Sequence, residues 1–359
     1  MRTRWSWMLA GALATLGSGR PASAQELFTA DLGGVREGGA ALRSRMDSAQ
    51  ETQVPGQVLD PKAQGAYFRK IVSAAASCWR GVTGSGVLPH FQSDPERYFT
   101  PAAGQPGFWT GPLDRPSVYI GASSPKAEFE AGLTWDRVYD RAGRPVFTDL
   151  EFGTDGNDAA HRFVAVDAGG ETVMVNALGR RAAEDAALVP DFAFRPFRRG
   201  AAGWGNPEVG SPDNVYLYPG EAFTMTLQIS AEGAVRLDIR AEGGGWRHHT
   251  WKGSEPGLRS GGPLLVKRVN AIDQFRVVDG RRSGNEGHAV LPTAALAVGA
   301  CWRRSASLAA RGRRVPLAGR NAVAVAGADT APVYASVFRL SGLEADGGEC
   351  IDIVPSSGL

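Results

Sequence analysis

Residues 223–240 read FTMTLQISAEGAVRLDIR, and this stretch decides the predicted fold. Apolar residues alternate with Thr, Gln and Ser over residues 223–230, and apolar residues alternate with Arg and Asp over residues 235–240. Residues 231–233 (AEG) supply a turn between the two segments. A period of two on both sides of a turn predicts an antiparallel hairpin with one apolar and one polar face.

The same pattern recurs along the chain. Residues 128–136 alternate in the same way, and residues 163–166 and 172–175 flank an Ala-Gly-Gly turn. Many short strands separated by Gly, Asp and Asn turns exclude a parallel α/β fold, which requires a helix between strands. We therefore predict an all-β protein, an antiparallel β-sandwich of jelly-roll, concanavalin-like type, with the sandwich domain over residues 111–359.

Residues 1–24 have the order of a secretory signal peptide. Arg2 and Arg4 precede an uncharged apolar run over residues 7–16, and residues 22–24 (ASA) form an A-x-A cleavage site. The apolar run has about ten residues, whereas a spanning helix needs roughly twenty. The sequence therefore predicts a secreted or periplasmic protein without a membrane span.

Residues 25–110 are predicted to form an N-terminal extension, partly extended, with one helix. Asp60 can cap the start of a helix, and Pro61 suits its first position. Apolar residues over 67–78 then recur at helical spacing. These signals predict a helix over residues 60–79.

The charge of the chain argues against a nucleic-acid partner. The full sequence has a formal net charge of +2, and the predicted signal peptide holds three arginines and no acid, so its removal leaves about −1. Nucleic-acid-binding proteins carry clustered positive charge. The paired arginines, such as Arg198 and Arg199, stand beside Gly or Ala and are predicted to lie at solvated loop tips.

Three cysteines remain after removal of the predicted signal: Cys78, Cys301 and Cys350. Export permits a disulfide, and an odd count leaves one thiol over. Cys301 and Cys350 both lie in short apolar segments near the C-terminus. We therefore favour this pair and predict that Cys78 is free.

Residues 268–302 carry the elements RVNAIDQ, GNEG, V-x-PT and GA-x-W, and residues 118–135 carry VYIG and AGLTW. These elements resemble those of the YrpD-like family of uncharacterised secreted bacterial proteins. The resemblance covers residues 116–350. It implies export and a β-rich domain, and it brings no settled activity. This chain departs from the family pattern in the cysteine before Trp302 and in its long N-terminal extension.

Acidic residues offer one candidate for catalysis. Glu128 and Glu130 share the polar face of a predicted strand, roughly 7 Å apart. Two facing carboxylates are the groups that glycoside hydrolysis requires. With Glu286 they are the candidate catalytic residues, and carboxylates on a solvated strand face are the simpler interpretation.

A turn rich in oxygen ligands offers one candidate for metal binding. Asp155, Asn157 and Asp158 lie within the run DGND, and Ca²⁺ prefers such groups. The bidentate glutamate of an EF-hand is missing, and ordinary turn chemistry explains the run equally well. No other cofactor is predicted.

Two further sets are candidate ligand-binding residues. Aromatic rings in polar, Gly-rich surroundings could stack on sugars, or they could plug the ends of the sandwich. These rings are Trp204, Tyr216, Tyr218, Trp246 and Trp251. Short polar side chains could form a hydrogen-bonding patch beside Glu286, or they could fix turns. These side chains are Asn270, Asp273, Gln274 and Asn285.

Compartment, fold class and loop aromatics together predict a protein that binds an extracellular carbohydrate polymer, with a polysaccharide or glycan surface as partner. Fold alone does not fix function. The alternatives are a glycoside hydrolase or polysaccharide lyase, and a structural or adhesive envelope protein without a small ligand.

Overall fold

The computed structural model describes residues 65–100, 111–150, 159–242, 247–327 and 337–355. The predicted signal peptide, the predicted metal ligands Asp155, Asn157 and Asp158, and Trp246 lie outside the described residues. Within the described ranges the chain consists mainly of antiparallel strands, with 3-10 turns at Ala159–His161, Ala310–Gly312 and Gly319–Asn321. No helix in the described part of the chain has the length and apolar composition of a membrane span.

The strands are numbered in chain order. They are β1 Ala66–Ser73, β2 Gly81–Val87, β3 His90–Gln92, β4 Tyr98–Phe99, β5 Gly111–Pro112, β6 Asp114–Ser123, β7 Glu128–Arg137, β8 Val146–Asp149, β9 Arg162–Ala168, β10 Glu171–Asn176, β11 Leu188–Pro190, β12 Phe192–Gly200, β13 Gly203–Gly205, β14 Ala222–Ile229, β15 Ala234–Glu242, β16 His248–Ser254, β17 Leu265–Val278, β18 Arg281–Gly284, β19 Leu296–Leu308, β20 Arg314–Pro316, β21 Ala322–Gly327, β22 Phe338–Leu340 and β23 Glu349–Ile353.

Two large sheets contain most of the strands. The first sheet has the order β13-β12-β7-β6-β17-β1-β21, with β18 added on β17, and the second has the order β16-β15-β14-β2-β19-β23-β22, with β3 and β20 added on β19. A four-stranded sheet, β10-β9-β8-β11, and the pair β4-β5 complete the described strands. The predicted antiparallel β-sandwich is confirmed.

The inner faces of the two large sheets share one apolar core. Trp135 and Phe194 from the first sheet meet edge to face at 5.1 Å, and Phe223 and Trp302 from the second meet in the same way at 5.3 Å. Successive side chains of a strand point to opposite faces of the sheet. On each strand, the residues next to those of the core therefore point to the outer face. The outer face of the first sheet is therefore a second surface, besides the core, on which side chains of neighbouring strands contact one another.

The predicted helix over residues 60–79 is wrong, because residues 66–73 form strand β1 at the interior of the first sheet. The spacing of Tyr67 and Ile71 fits both structures, since residues four apart lie on one face of a helix and also on one face of a strand. Phe68 is buried on the opposite face of β1. Burial on both faces removes the polar side that an amphipathic helix needs.

The sandwich begins well before residue 111. β1 lies between β17 and β21 in the first sheet, and β2 lies between β14 and β19 in the second. Both strands fall in the predicted extension over residues 25–110, so that boundary is corrected. β2 was not predicted as a strand because it contains several glycines in place of alternating apolar residues. Glycine is needed there: a Cβ at Gly84 would lie 2.5 Å from the Trp302 ring, and one at Gly86 would lie 2.3 Å from the carbonyl oxygen of Cys301.

Three charged side chains lie between the two sheets. Arg69 Nη2 donates to Glu349 Oε1 at 2.6 Å, and Arg268 Nη2 donates to Glu349 Oε2 at 3.1 Å. All three side chains are fully buried. Burial raises the pKa of Glu349, but the guanidinium groups of Arg69 and Arg268 outweigh burial and lower it below its usual value. We call these three residues the buried triad.

The predicted disulfide is confirmed. Cys301 and Cys350 are bonded to each other and stand opposite one another on β19 and β23. Cys78 is free and exposed, as predicted. The bond joins residues 49 apart in the sequence, so it closes a long loop.

Candidate active site

Strand register brings distant residues into one row on the outer face of the first sheet. Lys70 pairs with Val269, Val269 with Tyr119, Tyr119 with Gly132, and Gly132 with Phe197. Directly paired residues share a face of the sheet. The absence of a side chain at Gly132 makes room for Tyr119, since a Cβ there would lie 2.5 Å from Tyr119 Cβ.

The adjacent row on the same face is ionic. Lys267 pairs with Gly121, Gly121 with Glu130, and Glu130 with Arg199. Lys267 Nζ donates to both Glu128 and Glu130, and Arg199 Nη2 donates to Glu130. A Cβ at Gly121 would lie 2.9 Å from Lys267 Cε, so glycine leaves the lysine room to reach both acids.

Glu130 is held in its ionised form. Burial raises its pKa, but the positive charges of Arg199 and Lys267 outweigh burial and lower the pKa far below its usual value. Both oxygens of this carboxylate are engaged by cations. Glu130 is therefore an anchor for Arg199 and Lys267 and is unsuited to donate or accept a proton near neutral pH.

Asp273 has the opposite electrostatics. Burial raises the pKa of its carboxyl group to about 6, the charge of Glu286 also raises it, and the Ser117 hydrogen bond and Arg199 act in the opposite direction. Ser117 Oγ donates to Asp273 Oδ2 at 2.6 Å. The carboxyl group of Asp273 therefore exchanges a proton in the range where an acid–base catalyst works.

Two further charged side chains line the same cavity as Asp273. Burial, together with the charge of Lys267, lowers the pKa of Lys70 to about 8, while Glu130 and Glu128 raise it. Glu286 Oε1 lies 3.8 Å from Arg199 Nη1, and its side chain is 39% exposed. Glu286 is thus open to solvent on one side and close to a cation on the other.

These groups surround a cavity of about 30 Å³, which is large enough for one or two water molecules. We call this site the outer-face cleft and define it by the polar residues Lys70, Tyr119, Arg199, Asp273 and Glu286, all of which line the cavity. Small polar cavities of this size hold water when several polar partners converge. The cleft can therefore hold a water molecule between a proton donor and a carboxylate.

An aromatic shelf adjoins the outer-face cleft. Trp204 lines the cavity, is 43% exposed and stacks on Phe197 with ring centroids 4.7 Å apart. Phe197 meets Tyr119 edge to face at 5.7 Å. An apolar side chain of a substrate could cover this shelf.

The structure brings four of the predicted residues together at the cleft: Trp204, Asp273, Gln274 and Glu286. Gln274 fixes a loop, because Nε2 donates to Asp114 and to the Leu291 carbonyl group, both at 2.9 Å.

The neighbouring amides Asn270 and Asn285 do not share the cleft. Asn285 Nδ2 donates to the Ala289 carbonyl oxygen at 2.8 Å and so fixes a turn. Asn270 lies on the inner face of β17, where its Oδ1 accepts a hydrogen bond from the Trp302 indole. The prediction that all four polar side chains share one patch is therefore wrong, because alternation along β17 places Asn270 and Asp273 on opposite faces of the sheet.

The loop aromatics that the structure describes do not form one platform. Trp251 stacks on the buried Phe129 at 5.3 Å and carries the Arg198 guanidinium 5.0 Å from its ring centroid. Tyr216 and Tyr218 line a different pocket from Trp204. The prediction that these rings form one shared sugar-stacking surface is therefore wrong for the described residues.

Lys70, Tyr119 and Arg199 were not predicted from the sequence as site residues. Lys70 fell within the predicted helix, and Arg199 was placed at a loop tip, whereas it lies on β12 beside Glu130. The available signal lay within residues 192–199 (FAFRPFRR): Phe192 and Phe194 alternate with Ala193 and Arg195, as in a strand with one apolar face. The same alternation places Arg195 and Arg199 on one face.

Within the described ranges, no group of three or more His, Cys, Asp or Glu side chains is arranged to hold a metal ion. The predicted calcium ligands Asp155, Asn157 and Asp158 lie outside those ranges, so the calcium site stays a prediction.

No family model and no curated protein matches the chain. The YrpD-like resemblance stays a prediction. Among solved structures, Scytalido-glutamic peptidase with a peptide-based transition-state analogue is 10% identical with a TM-score of 0.40, and the same peptidase with a transition-state analogue inhibitor is 8% identical with a TM-score of 0.44. SCP-B, a member of the Eqolisin family of peptidases, in complex with the tripeptide Ala-Ile-His, is 9% identical with a TM-score of 0.34. Each comparison covers 80% of this chain and 98% of the other.

These solved structures are named as peptidases, which overturns the predicted carbohydrate-binding function and its two alternatives, the glycan-cleaving enzyme and the adhesive envelope protein. The separation of the aromatic rings within the fold agrees with that correction. TM-scores below 0.5 do not assign an activity, and the function proposed for this chain rests on the chemistry of the outer-face cleft.

Proposed function

We propose that the protein is a hydrolase that cleaves peptide bonds by acid–base catalysis in the outer-face cleft. One observation carries the proposal: Asp273, with a pKa of about 6, and Glu286 line the same water-sized cavity. Hydrolases use two carboxyl groups in unlike environments, so that one donates a proton while the other accepts one. Asp273 is half-buried and Glu286 is exposed, which provides that difference.

The roles of the two carboxyl groups follow from their surroundings. The Glu286 carboxylate takes a proton from the water in the cavity as the water oxygen attacks the peptide carbonyl carbon. Protonated Asp273 then gives its proton to the amide nitrogen as the carbon–nitrogen bond breaks. The products are a carboxylic acid and an amine, and solvent carries the proton from Glu286 back to Asp273.

The cations of the cleft stabilise the charge that develops during this reaction. The Lys70 ammonium lines the cavity and can donate a hydrogen bond to the oxyanion of the tetrahedral intermediate. Arg199 stays bound to Glu130, which fixes the guanidinium beside Glu286. A fixed positive charge costs no reorganisation during the reaction.

Two features support an amide substrate with an apolar side chain. An amide nitrogen leaves only after protonation, and Asp273 can supply that proton near pH 6. The exposed ring of Trp204, which stacks on the buried Phe197, is an apolar surface next to the reacting groups. The disulfide is compatible with an extracellular or periplasmic location, and we propose export to that compartment.

Asp273→Asn is expected to lower kcat for peptide cleavage by about 100-fold or more, because asparagine cannot donate a proton to the leaving nitrogen. Glu286→Gln is expected to have a similar effect. The measurement is cleavage of a peptide library at pH 5, read by mass spectrometry. Glu128→Gln is the matched control: this acid lies on the same face but outside the cavity, so kcat should change less than about threefold. An inactive wild-type protein, or full activity in Asp273→Asn, would contradict the proposal.

The pH dependence of cleavage is expected to follow the proton on Asp273. Its raised pKa means that the neutral, donating form predominates below about pH 6, so kcat/KM should fall as the pH rises through that value. Ser117→Ala removes a hydrogen bond that lowers the pKa, so this variant should move the falling limb to higher pH. A limb that stays unchanged in Ser117→Ala would show that another group governs the profile.

A further inference from the structure

A second pocket lies away from the outer-face cleft. It has a volume of about 560 Å³, within the range of small-molecule sites. Tyr139 and Arg141 line it from the segment after β7, Arg162 from the start of β9, and Tyr216 and Tyr218 from the segment before β14. We call these five residues, with the space they enclose, the tyrosine pocket.

Two acids at the rim of the tyrosine pocket are already neutralised. Asp140 pairs with Arg144 at 2.7 Å and also accepts the backbone N–H groups of residues 142 and 144. Glu221 pairs with Arg247, which also donates to the Tyr216 carbonyl oxygen. These groups contribute little net charge to the pocket.

Two arginines provide the net charge. Neither Arg141 nor Arg162 forms a salt bridge within 4.0 Å to any acid in the described ranges. Arg162 lies over the Tyr218 ring, 4.3 Å from its centroid, which fixes the guanidinium plane. Asp191 faces the far end of Tyr218, and its Oδ2 accepts a hydrogen bond from the Tyr218 hydroxyl group at 2.7 Å. Burial raises the pKa of Asp191 to about 7, so its opposing charge is incomplete at neutral pH.

A neutral donor complements these cations. The Tyr216 hydroxyl oxygen accepts hydrogen bonds from the Tyr139 backbone N–H at 3.1 Å and from Asn214 Nδ2 at 2.9 Å. Within the described ranges no acceptor takes the proton of this hydroxyl group. The tyrosine pocket therefore offers donors from Arg162, Arg141 and Tyr216, with aromatic walls around them.

We propose that the tyrosine pocket binds a small organic carboxylate with an apolar body. A guanidinium group matches the planar, two-oxygen geometry of a carboxylate and can bind it through two parallel hydrogen bonds. The rings of Tyr139 and Tyr216 and the side chains of Val138 and Val215 would cover the apolar part of the ligand. This proposal does not depend on catalysis in the outer-face cleft.

The test is isothermal titration of the full protein at pH 7 with 3-phenylpropanoate, and with its neutral amide as the matched ligand. We expect the amide to bind at least about tenfold more weakly, because it lacks the charge that Arg162 recognises. Arg162→Gln is expected to weaken carboxylate binding by a similar factor. Arg141→Gln, at an exposed position, gives a second variant that should fold normally. Arg240→Gln, at an exposed position of β15, is the control and should bind like the wild type.

Three results would overturn the proposal. The first is equal binding of the carboxylate and the amide, and the second is wild-type binding by both pocket variants. The third is binding of inorganic phosphate without binding of 3-phenylpropanoate. The Asp273→Asn variant should bind the carboxylate normally, so failure of the proposed peptidase activity and failure of this proposal are distinguishable.

Discussion

Glu349→Gln is expected to destabilise the folded protein by about 3–5 kcal/mol, which is the usual cost of removing one partner from a buried ion pair. Arg69 and Arg268 share this one carboxylate, and all three side chains are fully buried. Glutamine removes the carboxylate charge that both guanidinium groups share between the sheets. The measurement is the free energy of unfolding in urea at pH 7.

An exposed ion pair provides the control. Arg303 and Glu242 are 3.3 Å apart, and their side chains are 55% and 39% exposed. Exposed pairs contribute between zero and about 1 kcal/mol, so Glu242→Gln should change stability far less than Glu349→Gln. Equal effects of the two substitutions would show that the buried triad is not the ionic centre that its geometry indicates.

A triple variant separates the charge from the packing. Replacing Arg69 and Arg268 with Met and Glu349 with Leu removes every charge of the buried triad and keeps its approximate volume. Buried ion pairs replaced by apolar residues of similar size are often neutral or stabilising. We therefore expect the triple variant to be more stable than Glu349→Gln alone.

Removal of the disulfide is expected to cost about 4 kcal/mol. Cys301 and Cys350 are 49 residues apart, and closing a loop of that length lowers the entropy of the unfolded chain by roughly this amount at 25 °C. The double variant Cys301→Ala and Cys350→Ala tests this by urea unfolding. Cys78→Ser is the matched control. Because Cys78 is free and exposed, the free energy of unfolding of this variant should stay within about 0.5 kcal/mol of the wild-type value.

Reduction of the wild-type protein gives an independent check. Under a reducing agent, the wild type should lose stability to the level of the double variant, and the double variant should not respond. A wild type whose stability is unchanged after complete reduction would contradict the assignment of this energy to the bond.

Sequence alone predicted the hairpin of β14 and β15 because both of its signals were local. The apolar alternation fixed which residues face inward, and Gly233, with a φ of +89°, closes the turn. By contrast, β1 was mistaken for a helix because its apolar spacing of four suits both structures. β2 lacked apolar alternation because glycines make room for the Trp302 ring and for the backbone of β19.

The candidate site was less accessible from sequence than the fold. Asp273, Glu286 and Trp204 could be named because they stand among turn residues and loop aromatics. Their partners could not, because Glu130 is bound by Arg199 from 69 residues away and by Lys267 from 137 residues away. Register between strands decides which distant charges meet, and a single strand does not carry that information.

The places of β1 and β2 have a consequence for biosynthesis. β1 can form its hydrogen bonds only after its neighbours β17 and β21 have been synthesised, and β21 ends at Gly327. β2 likewise pairs with β14 and β19, which come much later in the chain. Contacts between such distant segments form slowly. A nascent chain emerging from the ribosome must therefore keep its first two strands unpaired until most of the polypeptide has been made. This delay leaves the protein unfolded until late in its synthesis, which is compatible with the export that we propose.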